Sequence, residues 1–210
     1  MINKRTWNKW GRFYLSIDLD FWEARPWQTC YQDCYNFLMA VKKSRKRVIF
    51  VDEHHRLLPA INRSRCNTVV NIDQHSDIVE SEKYDPPDLN CGTWANYVHR
   101  RGHFIWFSPP RYYATCHTGK SPFEYPEVAG WEKVSWYKVK QPPIGLINSA
   151  SHIGLSMSYE YISATSLLPF VVKKVFNRRP RRSQAAMTYW HLEEAKEELS
   201  RKRNQEIFQI

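Results

Sequence analysis

Nothing in this 210-residue sequence approaches the roughly 18 consecutive apolar residues that a membrane-spanning helix needs, so no such span is expected. Carboxylates are the scarce charge: 21 Asp and Glu against 31 Lys and Arg leave a net charge of +10. Cysteines number only five, an odd count, and only Cys30 and Cys34 lie close, at a spacing that stacks them on one helix face. That pattern spells no zinc framework and no disulfide framework. The basic residues 1–12 lead into a four-residue apolar run rather than a signal-peptide core, which predicts a cytoplasmic protein with reduced thiols. Internal repeats and low-complexity segments are also absent. What the chain does have is 42% hydrophobic residues, enough for a packed core, and 15% aromatics. Basic plus aromatic is the composition of many nucleic-acid binders. The decisive question is whether the few acids are scattered or gathered.

Short β-branched and aromatic runs alternate with helical patterns. Strands are expected at Tyr14 to Ile17, Val48 to Val51, Val69 to Ile72, Phe104 to Phe107 and Ile153 to Met157. Helices are expected from Trp27 to Val41, Gly92 to Arg100, Ser163 to Phe176 and Gln184 to Gln205, with a helical turn at Leu57 to Ile61. Residues 109–143 carry Pro, Tyr, Trp and charge without a period and are expected to be irregular. The pattern predicts an α/β fold, a three-layer sandwich around a mainly parallel sheet. Residues 1–170 form the expected domain. Residues 171–210 form a basic linker and helix that hold half of the net charge.

The first three strands each end in acids or histidines: Asp18 and Asp20, then His54 and His55 after Asp52, then Asp73, His75 and Asp77. Side chains two apart on an extended chain point the same way, so each set can converge. In open parallel sheets ligands gather outside the carboxyl ends of strands, where these clusters stand. Four carboxylates with imidazoles are too many for a structural zinc and suit Mn²⁺, with bridging carboxylates holding two ions. Without cations, such a cluster would force carboxylates to repel one another. Taken singly, an Asp-x-Asp after a strand is more often a helix cap or a solvated turn. The repetition at three strand ends is what argues for a metal centre.

These residues resemble the arginase-like fold shared by ureohydrolases and metal-dependent deacetylases, nearest to the compact branch that includes peptide arginases. The resemblance is carried by Ser16 to Trp22, by Val51 to His55 with Leu58 and Pro59, and by Asn71 to Asp77. Weaker echoes lie at Cys91 to Trp94, Trp106 to Pro109 and Leu155 to Glu160, so the match spans residues 14 to about 170. It implies that Asp73 and Asp18 bridge two Mn²⁺ ions, that Asp77 and His54 complete one position, and that His75 and Asp20 complete the other. His54 is preferred to His55 because the family places its ligand two residues after an acid that ends the strand. Asp20 and His55 are the implied catalytic groups, Glu160 is the implied substrate-binding acid, and His99, His103 and His117 are candidate proton shuttles. The order of motifs is reversed relative to ureohydrolases, as in a circular permutation, and Asp52 and Glu53 stand where arginases carry paired glycines.

The expected activity is hydrolysis of a guanidino C–N bond by a metal-dependent enzyme, converting arginine in a peptide to ornithine plus urea, or acting on a small guanidino compound. Alternatives are a one-zinc deacetylase of the same fold, a two-metal phosphodiesterase or nuclease, and a non-catalytic nucleic-acid-binding protein. A chain of this charge repels a small free cation and attracts an acidic partner, so the expected substrate is a guanidine carried on an acidic peptide. The basic run from Lys173 to Arg182 is either a nucleic-acid contact, which no recognised motif supports, or a solvated loop. The helix after it could serve as a homo-oligomer contact.

Overall fold

The computed structural model of this protein describes residues 7, 9–23, 27–78, 89, 92–110, 130–159, 162 and 166–177. The expected C-terminal helix, most of the basic run, Glu160 and His117 lie outside the described residues.

Buried apolar runs build a six-stranded sheet from β1 (Phe13–Asp18), β2 (Val48–Val51), β3 (Thr68–Ile72), β4 (His103–Ser108), β5 (Lys133–Lys138) and β6 (His152–Ser156). The order across the sheet is β2-β6-β1-β3-β4-β5, and every neighbouring pair is parallel. Helices α1 (Asp20–Glu23), α2 (Trp27–Lys43), α3 (Leu58–Ser64), α4 (Gly145–Ser149) and α5 (Leu168–Phe176) cover it.

Alternation along the strands sorts side chains between two cores. Phe13, Leu15 and Ile17 of β1 face one layer with Cys30, Cys34 and Val41 of α2 and Leu168 and Val172 of α5. Tyr14 of β1, Val69 of β3 and Phe104 and Trp106 of β4 face the other layer, with Ile61 of α3 and the 3₁₀ turn at Trp94–Tyr97. The result is the expected three-layer α/β sandwich, with Cys30 and Cys34 as buried, unbridged hydrophobes on one helix face.

Connections leave β1 and reach β3 on opposite faces. The first runs through α2 on one side, and the second through α3 on the other. Strands β1 and β3 are nevertheless immediate neighbours, with Ile17 level with Ile72. A crevice opens at such a switch point, outside the strands' carboxyl ends. This places Asp18 and Asp20 beside Asp73.

Three local differences separate structure from sequence pattern. The expected helix over 92–100 is only the 3₁₀ turn at Trp94–Tyr97. Part of the segment expected to be irregular is β5, an edge strand whose exposed lysines at both ends blur its alternation and guard the open edge. The boundary at residue 170 falls inside α5, whose Val171, Val172 and Val175 are buried in the main core.

On β6, Gly154 is fixed by a close approach. A Cβ there would stand 2.6 Å from the Tyr14 hydroxyl and 2.7 Å from a Leu57 methyl. Gly154→Ala is therefore expected to destabilise the fold by about 1–3 kcal/mol, measured as a lower urea midpoint at unchanged slope.

Candidate metal centre

Toward the carboxyl ends of β1 and β3, one face of each strand turns polar yet stays fully enclosed. Ser16, Asp18, Asn71 and Asp73 continue the face that Tyr14 and Val69 begin, and they sit directly outside the second core. The Asp18 carboxylate caps the turn after β1 by accepting the Asp20 N–H at 3.1 Å. After β3, Asp73 accepts the His75 N–H at 2.7 Å, and Asp20 accepts the Gln74 N–H at 3.1 Å. These bonds tie the two strand ends together.

His54 reaches the same point from the 3₁₀ turn at His54–Leu57 that follows β2. Its Nδ1 lies 3.0 Å from Asp18 Oδ2, 3.0 Å from Asp73 Oδ2 and 2.9 Å from Asp77 Oδ2. Despite these distances, the atom is buried and no oxygen is aligned to hydrogen-bond with it. Ligand atoms about 3 Å apart match adjacent ligands on an ion with bonds of about 2.1 Å. On the far side of the ring, Nε2 lies 2.6 Å from Ser16 Oγ, which holds Nδ1 toward the carboxylates.

A second group shares Asp73. His75 Nδ1 is 2.8 Å from Asp20 Oδ2 and 3.7 Å from Asp73 Oδ1. Asp73 thus turns Oδ2 toward His54 and Oδ1 toward His75, whereas Asp18 turns Oδ2 toward His54 and uses Oδ1 on the Asp20 amide. The sets Asp18, His54, Asp73 and Asp20, Asp73, His75 each bring their ligand atoms within 4.8 Å of one another, close enough to hold a cation.

Further side chains hold this arrangement. Trp94 donates its indole N–H to Asp77 Oδ2 at 2.6 Å and packs its ring 4.8 Å from the His54 ring. Asn71 donates to Asp73 Oδ2, and the Trp106 indole donates to the Asp73 carbonyl at 3.0 Å. Ser158 donates to Asp18 and is itself tied to Ser156. Asp77 and Ser158 both have positive φ, +58° and +41°, a left-handed backbone that the surrounding bonds sustain.

All six residues expected as ligands, Asp18, Asp20, His54, Asp73, His75 and Asp77, are brought together. His55 is not: it is half-exposed and lies 3.3 Å from Glu53 Oε2. His103 sits at the amino end of β4, where it pairs with Ser135 Oγ, and His99 precedes that strand, so both belong to the opposite end of the sheet. Ser16, Asn71, Trp94 and Ser158 escaped the sequence reading as functional residues. Ser16 and Asn71 were traceable by parity, each lying two positions before a buried aspartate.

Burial and mutual repulsion shape the titration of the cluster. Burial, then the Asp73 charge, pushes Asp20 up to about 6. Burial, then Asp77 and Asp18, pushes Asp73 to about 7, and burial with Asp20 raises Asp18. Burial opposes charging of both imidazoles, but Asp77 and its neighbours still hold His54 well above its ordinary value, and Asp20 lifts His75 to about 10. Burial and crowding of like charge thus favour the protonated forms of these carboxyls.

Comparison with models of known protein families, with curated proteins and with solved structures returns no match to this chain.

A folded state that holds more protons than the unfolded chain loses stability as pH rises. For Asp20 and Asp73 that interval runs from near 4 to about 7, and for His75 from about 6.5 to about 10. Calorimetry in chelator is expected to show a melting temperature that falls from pH 5 to pH 9. Manganese, which competes with those protons, should raise it most at the alkaline end.

Proposed function

We propose that this protein is a dinuclear manganese hydrolase that cleaves a guanidino C–N bond. The observation that carries this reading is Asp73, with one carboxylate oxygen facing each of two imidazoles, together with a buried His54 Nδ1 that has three carboxylates around it and no hydrogen bond. Asp18, His54 and Asp77 would hold one ion and Asp20 and His75 the other, with Asp73 common to both. Hard oxygen donors with a minority of nitrogen suit Mn²⁺. Bound there, the ions would supply Lewis acidity and bring the pKa of a nearby water into the neutral range.

The chain's own groups supply access and proton transfer. Among the six, His75 alone is substantially open, at 35% side-chain exposure, while the other five lie at 4% or less. Substrate would therefore approach across His75. A guanidinium carbon is a poor electrophile because its charge is delocalised over three nitrogens, so the leaving amine needs a proton donor. Asp20, which the resemblance implies as a catalytic group and which contacts His75, is the residue placed to give it. The resemblance to the arginase-like fold selects guanidine hydrolysis over the other reactions of two-metal sites. The net charge of +10 favours a guanidine carried on an acidic peptide. A His54 that sits inside the cluster favours two manganese ions over the one-zinc arrangement of a deacetylase.

Metal analysis followed by a urea-release screen over arginine, agmatine and arginine-containing peptides tests the reading. Two manganese per chain and urea from at least one substrate are expected. Asp73→Ala should lose both ions and more than about 100-fold in activity, whereas Glu53→Gln, outside the cluster, should keep both ions. Manganese-loaded protein that releases no urea from any of these compounds overturns the assignment.

A further inference from the structure

Because all six strands are parallel, their amino ends share one pole of the molecule, about 20 Å from the acidic cluster along β1. Arg47 precedes β2, Arg12 precedes β1, Arg65 and Arg100 stand three residues before β3 and β4, and Lys133 opens β5. All five are exposed, and none forms an ion pair with a carboxylate among the described residues. In sheet order they make a row across five strand spacings, about 24 Å, interrupted only at β6. Glu132 is the one described acid beside a strand start.

An aromatic ring lies in the middle of this row. Trp10 is half-buried, and its carbonyl accepts the Thr68 hydroxyl at the first residue of β3. Its ring packs against the core on Trp7 at 5.3 Å, Phe13 at 6.1 Å, His103 at 6.3 Å and Phe107 at 6.4 Å, and the remainder of its surface is exposed among the strand starts. Cations that track a backbone with an aromatic platform among them are the recognition chemistry of single-stranded nucleic acid. Four of the five cations are arginines, whose planar fork matches phosphate. Ile144, next to the Gly145 that packs on Trp7, is a single large exposed hydrophobic near this row, and one such side chain is a poor anchor for a membrane-binding face.

We infer that this basic pole, opposite the candidate metal centre, binds single-stranded nucleic acid, with Arg12, Arg65 and Arg100 on phosphates and Trp10 against a base. None of these residues belongs to the basic run between Lys173 and Arg182, and the inference does not depend on the metal centre.

Anisotropy of a fluorescein-labelled 15-nucleotide oligothymidylate, titrated with the full-length protein between 50 and 200 mM salt, tests it. Single strands lose about 0.7 in log K per log salt for each phosphate contact, so five contacts give a slope of about −3.5. The triple variant Arg12→Gln/Arg65→Gln/Arg100→Gln is expected to flatten the slope to about −1.4 and weaken binding at least tenfold, with melting temperature and manganese stoichiometry unchanged. Trp10→Leu should weaken binding about tenfold at an unchanged slope. The inference is overturned if the wild type does not bind, or if the triple variant binds as tightly as the wild type. It is equally overturned if polyglutamate or phosphatidylserine vesicles displace the oligonucleotide at matched charge, because the pole would then serve an acidic polypeptide or a lipid surface.

Discussion

Four carboxylates enclosed within a few ångströms of one another are the constraint around which this molecule is organised. Negative charges that close cannot all stay ionised in a low-dielectric pocket unless something positive joins them. Two imidazoles supply part of that charge, protons retained on Asp20 and Asp73 supply more, and the shape left around His54 Nδ1 suits a cation that would replace them. The surrounding groups make sense as parts of one holding frame: the Ser16 hydroxyl on the far side of the His54 ring, the Trp94 indole on Asp77, and Ser158 on Asp18. Each supports an acid or an imidazole that would otherwise turn away.

The sheet is what makes the frame possible. Parallel pairing of β1 with β3 aligns two strand ends within one hydrogen-bonding step, and the opposite-face connections let a crevice open beyond them. The same pairing sends every strand start to the other pole, where the row of five cations stands. One architectural fact therefore separates that row from the acidic pocket by the length of a strand. A net charge of +10 coexists with a strongly acidic pocket without either cancelling the other. Acids are few in this chain, and four of them are gathered in one place.

Local pattern made much of this legible. Val48 to Val51 reads as a strand and is one, because a run of β-branched and aromatic residues has few other ways to be half-buried. The α2 stripe, with Cys30, Cys34, Leu38 and Val41, follows the helical period into the core. Asp18 and Asp73 were readable because the enclosed face of each strand runs on to its end, whereas Asp20, His54 and Asp77 are brought in by the helix, the 3₁₀ turn and the left-handed residue that follow the strands. Elements with weaker local signals were not readable. Strand β5 gains its identity from pairing with β4, where Trp136 stacks on Trp106 at 5.0 Å, and a charged edge strand does not advertise itself alone.

By itself, then, the sequence determined the α/β class, the strand ends where acids and histidines gather and the identity of those acids and imidazoles, since these follow from periodicity and spacing along the chain. The tertiary structure decided which of two adjacent histidines turns inward: His54 is enclosed and His55 faces Glu53, a choice made by the 3₁₀ turn after β2. It also decided that Asp73 is shared between both imidazoles, that Trp94 belongs to the centre, and that cations scattered from Arg12 to Lys133 form one row. Those relations join residues far apart in sequence. Strand order and side-chain enclosure create them, and neither is a property of any local segment.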